Sequence, residues 1–242
     1  MANRFHAESQ ILSELETMAE KRLIIGFGHK ARQGKDTAAN HLKKLFGCRV
    51  IHFAEALYEE CRHATIIYKE DTPQLYCKAG NEDFFSYGQP EGTITAWIKE
   101  NGERRQGIPY DADYIYGGMK DKDAVLLQFW GTEFRRKKFY WDYWVDKVRD
   151  EILAHPGDDF LIPDTRFKNE AKMIRDMGGH VWKIDRLGYK ATDRDPNHSS
   201  EVDLDDWDFD AVFHNNSTIR DLEQKVEQNF RQLKGLNDEK NK

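Results

Sequence analysis

Cysteine is scarce in this sequence: Cys48, Cys61 and Cys77 are the three present, and no two form a Cys-x-x-Cys pair. An odd, unpaired set argues against both a disulfide framework and a zinc knuckle, and it fits a reducing cytoplasm. An excess of positive charge is also missing. Lys and Arg number 37 against 43 Asp and Glu, a formal net charge of −6, so no global positive field exists to hold a nucleic acid polymer. Any anionic ligand must therefore meet local cations. No apolar run approaches the roughly 20 residues needed to cross a bilayer, and the start, Met1 to Gln10, lacks the basic-then-apolar order of an export signal. The expectation is a protein that is neither membrane-bound nor exported. Hydrophobic residues still make up 39% of the chain against 33% charged, enough for a core to form.

What is present is an alternation of short apolar runs and helical periodicity. With 242 residues, the chain is expected to form a single α/β domain, 1–242, with insertions. Residues 8–20 carry Ile11, Leu12, Leu15, Met18 and Ala19 at helical spacing and predict an accessory helix within 1–20. Leu23 to Phe27 predicts a strand, Ala38, Leu42, Leu45 and Phe46 a helix, residues 49–53 a second strand and 54–64 a second helix. That order favours a parallel sheet. Residues 66–120 hold scattered Gly, Asp, Tyr and Trp without sustained period and are read as an insertion. Helical spacing returns over 123–137 and 144–152, and Phe160-Leu161-Ile162 predicts a strand ending at Pro163-Asp164. A helix closed by Gly178-Gly179, a strand over 180–185, a strand over 211–214 and a helix from Ile219 to Leu233 complete five strands. The polar stretch 186–206 is too long for an ordinary connection and is expected to act as a lid.

Between the first strand and its helix the chain reads Gly28-His29-Lys30-Ala31-Arg32-Gln33-Gly34-Lys35-Asp36-Thr37. A nucleoside triphosphate needs inward-pointing backbone N–H groups, the positive end of a helix and an ammonium for its β and γ phosphates. Gly34 and Lys35 stand where these are delivered. Relative to G-x-x-x-x-G-K-[ST], His29 replaces the first glycine and Asp36 replaces the hydroxyl residue, with Gly28 one position early. A carboxylate beside phosphates repels them unless a cation intervenes, so Asp36, with Thr37 next in line, is expected to hold Mg²⁺ directly or through water. The alternative is an ordinary strand-to-helix turn with an exposed lysine.

The segment Ala31 to Thr37 resembles the Gly-Lys-Asp-Thr loop of the deoxynucleoside monophosphate kinases of tailed bacteriophages. Further segments are similar in the same order: Phe53-Ala54-Glu55-Ala56-Leu57, Leu127-Gln128-Phe129-Trp130-Gly131-Thr132-Glu133, Asp142-Tyr143-Trp144-Val145, Pro163-Asp164-Thr165-Arg166-Phe167-Lys168-Asn169-Glu170, His198-Ser199-Ser200-Glu201 and Asn215-Asn216. Where the family follows Phe-Ala with Pro-Leu-Lys, this chain has Ala56-Leu57-Tyr58. The resemblance implies a P-loop NTPase fold of the adenylate kinase type: a central five-stranded parallel sheet flanked by helices, with a lid and an inserted acceptor-binding region. It implies ATP and Mg²⁺ as cofactors, a deoxynucleoside monophosphate as acceptor, and work in the cytoplasm of a bacterial host; a homodimer is compatible with it.

Bringing ATP against a second phosphate opposes two polyanions, so the chemistry calls for cations and excluded water rather than a strong base. Lys35, Arg32 and Arg186 form the expected catalytic set, the arginines bracing the transferred phosphoryl group; either arginine read alone is equally a surface residue. The ATP contacts are expected from Ala31, Arg32, Gln33, Gly34, Lys35, Asp36, Thr37 and, against adenine, Asn215, whose alternative is turn formation. Arg166, two residues past the strand-end carboxylate Asp164, is expected to fork onto the acceptor phosphate, with a salt bridge to Glu170 as its alternative. Asp164 either positions Mg²⁺ through water or caps the following helix. By the resemblance, Lys30, Phe53, Ala54, Gly131, Thr132, Trp144, Asp164 and Glu170 join Arg166 in holding the acceptor, Glu170 by accepting from its sugar or base. Arg135 and Arg136 are further cations without an assigned partner. Two rival readings stand beside this one: a P-loop kinase acting on another small molecule, of the phosphomevalonate or dephospho-coenzyme A kinase kind, and a nucleotide-binding switch. A switch needs an Asp-x-x-Gly after the third strand, and Asp164-Thr165-Arg166-Phe167 is not one.

Overall fold

The structure is a computed structural model that describes residues 22–81, 84–89, 92–103, 112–189 and 197–236. The accessory helix expected at 8–20 lies outside the described residues, as do residues 190–196 of the expected lid. The chain divides into two compact units, Met1–Phe53 with Val145–Lys242, and Ala54–Trp144. The segment 66–120 falls inside the second.

The first unit is built on five strands: β1 (Ile24–Gly28), β2 (Arg49–Val50), β7 (Phe160–Thr165), β8 (His180–Asp185) and β9 (Ala211–His214). They form one sheet in the order β2-β7-β1-β8-β9, and every pairing is parallel. All five residues of β1 are buried, as expected of a central strand covered on both faces. On one face Phe27, Leu161, Trp182, Leu42 and Phe230 share a core with α1 (Lys35–Phe46) and the last helix (Ile219–Leu233). That last helix starts at a Thr218 cap, whose hydroxyl accepts from the Asp221 N–H, and buries Leu222, Val226 and Phe230 at helical spacing. On the other face Ile24, Ile162, Val181 and Ile174 pack with Val145, Val148 and Ile152 of α5 (Tyr143–Ala154).

Three expectations differ in detail. The second strand, expected over 49–53, stops at Val50, and Phe53 already opens α2 (Phe53–His63), its N–H taken by the Asp164 carboxylate at 3.0 Å. Pro163 does not end its strand but lies within β7. There the β1–β7 register slips between Gly26↔Ile162 and Gly28↔Thr165, so the missing proline N–H falls at an irregularity of the ladder. The helix expected over 123–137 is α4 (Ala124–Gln128), capped by Asp123, running into a π-helix over Phe129–Phe139. Along it Trp130, Phe134 and Phe139 meet in tilted and edge-to-face contacts, ring centroids 4.6 and 5.3 Å apart.

The second unit holds an antiparallel sheet of β3 (Ala64–Lys69), β4 (Gln74–Ala79), β5 (Phe85–Tyr87) and β6 (Tyr114–Gly117), in the order β5-β4-β3-β6. The helix α3 (Gly92–Asn101) buries Ile94 and Ile98 in its core. Glu60 gathers the Trp130 indole N–H at 3.0 Å, the Arg135 guanidinium at 2.7 Å and the Tyr143 hydroxyl at 2.6 Å. Arg135 is thus a structural cation, its guanidinium also 4.8 Å from the Phe139 ring centroid and 4.9 Å from that of Tyr143.

Candidate active site

In a parallel sheet every strand delivers its following loop to the same edge, so the segments after β1, β7, β8 and β9 converge there. Each carries a residue expected in the site. The loop after β1 begins at Gly28, where a Cβ would stand 2.7 Å from Phe209 Cε1 and 3.3 Å from Leu204 Cδ1. This early glycine thus permits close packing beneath the loop. His29, at the first glycine position of the motif, takes φ 81, and Arg32 φ 58. Side chains rarely adopt such backbone, and here the His29 ring is fixed by Asp205, Nε2 to Oδ1 2.7 Å. Burial holds the His29 imidazole below its ordinary value, and Lys183 and Lys30 push the same way against Asp205.

Gln33 is the knot of the loop. Its carbonyl accepts from Asn215 Nδ2 at 2.9 Å, and its side-chain oxygen accepts the N–H of Arg186, so the exits of β9 and β8 are both tied to it. Asn215, expected against adenine, here orients the loop. Gly34 has φ 105, and a Cβ on it would lie 2.6 Å from Asn215 Nδ2. Lys35 opens α1, is 4% exposed, and donates to the carbonyls of Lys30 at 2.5 Å and His29 at 3.4 Å. Burial, reinforced by the charge of Arg166, lowers its ammonium from 10.5 to about 7, while Asp36, Glu201 and Asp164 pull it back up. Asp36 beside it is held below the usual carboxylate range by His52 first, then by Lys35.

The end of β7 supplies Asp164, and the turn after it Arg166. Asp164 caps α2 through Phe53 rather than the helix that follows it in sequence. Arg166 pairs with Glu201, Nη1 to Oε1 2.7 Å, and not with the Glu170 carboxylate offered by the sequence. Glu170 is 1% exposed and accepts from the N–H groups of Arg166 at 2.6 Å and Phe167 at 3.1 Å. Its carboxylate therefore shapes the turn into α6 (Lys168–Asp176), the role these contacts give it beside the expected one on the acceptor's sugar or base. Arg186 is exposed at the end of β8 with its guanidinium 5.0 Å over the Tyr189 ring, and Arg32 is exposed on the loop. Lys30 pairs with Asp205 at 3.1 Å, and Thr37 is half-buried in the first turn of α1.

Ala54, Gly131, Thr132 and Trp144 belong to the second unit. Trp144, expected against a base, is instead 2% exposed and donates its indole N–H to the Gly131 carbonyl at 2.9 Å. Gly131, expected to admit the acceptor, is approached by Leu57, 2.9 Å from where a Cβ would stand. Both hold the π-helix in its core. Thr132 is buried beside Gly131, and Ala54 and Phe53 begin α2. The sequence reading missed Glu201 and Asp205 altogether, although His198 to Glu201 had been matched as a segment. Two acidic residues set one helical turn apart opposite a cationic loop were the available signal.

A parallel sheet with its glycine-lysine loop after the central strand, an aspartate at the end of the neighbouring strand and an arginine just beyond it has the arrangement of a P-loop kinase. The comparisons narrow the class. Residues 124–226 match the sequence profile described as deoxynucleotide monophosphate kinase. A deoxynucleotide monophosphate kinase of Escherichia phage RB69 is 30% identical over 237 residues, covering 83% of this chain and 96% of that protein. That of Enterobacteria phage T4 is 31% identical over 124 residues, 49% of this chain and 50% of that protein. Among solved structures, a dephospho-CoA kinase from Campylobacter jejuni aligns over 88% of this chain and 97% of its own, at 13% identity and a TM-score of 0.44. The chain belongs to the deoxynucleotide monophosphate kinase family, and it is a kinase.

Proposed function

We propose that the protein transfers the γ-phosphate of ATP to a deoxynucleoside monophosphate in the host cytoplasm, with Mg²⁺ bound. The observation that carries the residue assignment is the meeting of Lys35, Asp164 and Arg166 at one sheet edge, close enough that both of the others act on the Lys35 ammonium. In this reading the amides of residues 32–37 and the N-terminal end of α1 cradle the triphosphate, the Ala31 N–H being held by Glu201. Lys35 leaves the Lys30 carbonyl for the β and γ phosphates, and Arg166 forks onto the acceptor phosphate. Arg32 and Arg186 flank the transferred group. Asp36, whose side chain is 79% exposed, offers a hard oxygen of the kind Mg²⁺ accepts alongside phosphate oxygens, and Asp164 would add a contact through water. Bound there, the ion would neutralise charge developing between the two phosphates. Asn215, at the end of β9, holds the loop through Gln33 and stands where it would meet adenine. The three free, buried cysteines suit a reducing compartment.

Coupled ADP release with dTMP, dGMP, dCMP and dAMP in the presence of ATP and Mg²⁺ tests the reading. Turnover of at least one, lost in Lys35→Ala and Arg166→Ala, is the expected result. No turnover with any of the four, or full turnover by Lys35→Ala, contradicts it.

A further inference from the structure

The short helix α7 (Ser199–Val202) and the turn after it fasten the β1 loop to the β7–α6 turn. On the loop side, Glu201 Oε2 accepts the N–H of Ala31 at 3.0 Å, and Asp205 takes His29 at 2.7 Å and Lys30 at 3.1 Å. On the other side, Glu201 Oε1 pairs with Arg166 at 2.7 Å, Asp203 accepts the Lys168 N–H at 2.7 Å, and Asp206 pairs with Lys168 Nζ at 2.7 Å. Leu204, 1% exposed, seats the segment on Gly28. Glu201 is itself 5% exposed and reaches both sides at once, one oxygen on each.

We infer that Glu201 is a positioning residue for phosphoryl transfer, setting the Arg166 guanidinium at a fixed distance from the phosphate loop through its two carboxylate oxygens. This rests on the reading of Arg166 as the acceptor-phosphate ligand. The physical reason is geometric. Donor and acceptor phosphates must meet in line, and an arginine free to swing binds the acceptor in many poses of which few react. A carboxylate shared between the arginine and a loop amide removes that freedom. The bond to Ala31 also fixes the loop at the side chain's own end. Because Leu204 seats the Glu201 segment on Gly28 at the end of β1, the spacing is tied to the sheet.

The test is a double-mutant cycle on the full chain, with ATP, Mg²⁺ and whichever of dTMP, dGMP, dCMP and dAMP wild type phosphorylates fastest. Glu201→Gln keeps the shape and an oxygen for Ala31 but loses the charge that holds Arg166. It should lower kcat about ten- to hundredfold while leaving the KM for ATP within about twofold. In an Arg166→Ala background the same change should cost less than about twofold. An equal loss in both backgrounds, or a wild-type kcat for Glu201→Gln, overturns the inference. If Arg166→Ala alone turns over at the wild-type rate, the acceptor reading fails and the inference with it; if Arg166→Ala is crippled and Glu201→Gln is not, the inference alone fails. Should Glu201→Gln not fold, Glu201→Asp, one methylene too short to span both partners, goes through the same cycle with the same two outcomes.

Discussion

Asp164 Oδ1 accepts the main-chain N–H of Phe53 at 3.0 Å, joining the end of β7 to the start of α2 across 111 residues of sequence. The sequence offered this aspartate two employments, magnesium or the cap of its own next helix, and the structure gives it a cap of a different helix. Asp164→Asn retains an oxygen for Phe53 and removes the charge. It should unfold within about 1 kcal/mol of wild type, whereas Asp164→Ala loses the cap and should cost about 1 kcal/mol more. Turnover by Asp164→Asn should fall and require more Mg²⁺ to recover; a wild-type Mg²⁺ titration would make Asp164 a cap alone.

Lys35 predicts a proton linkage. Its ammonium titrates at about 7 in the folded, ligand-free protein against 10.5 in an unfolded chain. Below pH 7 both states hold the proton and the folded state bears the full cost of a buried charge. As pH rises from about 7 toward 10.5 the unfolded chain binds more protons than the folded one, so this group's contribution to stability improves with pH. A triphosphate restores the charged form. At pH 8 ATP binding should therefore take up nearly one proton, about none at pH 6, read by calorimetry in buffers of different ionisation enthalpy. Uptake that persists unchanged in Lys35→Met would assign it elsewhere.

Gly34→Ala should be the most damaging small change in the loop. It meets a φ of 105 and an Asn215 amide 2.6 Å away, so either the loop or Asn215 must move. The sheet should remain folded, with ATP affinity reduced by about tenfold or more. Asn215→Ala, which frees the Gln33 carbonyl, should weaken ATP in the same direction but less. Equal affinity for all three proteins by titration with a non-hydrolysable analogue would leave the loop geometry without consequence.

Glu170→Ala separates a shaping role from a contact with the acceptor. The carboxylate is buried and accepts two main-chain N–H groups, so its loss should cost about 1–3 kcal/mol of stability. Since one of those groups belongs to Arg166, kcat should fall as well. An unchanged melting transition with only a raised acceptor KM would restore the direct contact expected from the resemblance.

Much of the first unit was legible from periodicity. Its strands β1 and β7 are short runs buried almost throughout, and the last helix carries Leu222, Val226 and Phe230 on one stripe, signals strong enough to survive without context. The second unit was not. Its strand β4 alternates buried and half-exposed positions, but Tyr76 sits on the outer side and Cys77 on the inner, which blurs a polar-apolar alternation into noise. The π-helix was hidden because its register emerges only where Trp130, Phe134 and Phe139 pack against one another. Within the site, the loop chemistry of Gly34 and Lys35 is local and readable. Partner choice is not: Arg166 joins Glu201 across 35 residues, and Asn215 and Trp144 take main-chain partners that no spacing rule announces.

The central claim is that the loop from Ala31 to Thr37 wraps a triphosphate. A crystal structure with Mg²⁺ and a non-hydrolysable ATP analogue tests it most directly. The account predicts the β and γ phosphates on the amides of that loop, with Lys35 Nζ moved from the Lys30 carbonyl onto their oxygens. Triphosphate density away from the loop, with Lys35 still on Lys30, would contradict it.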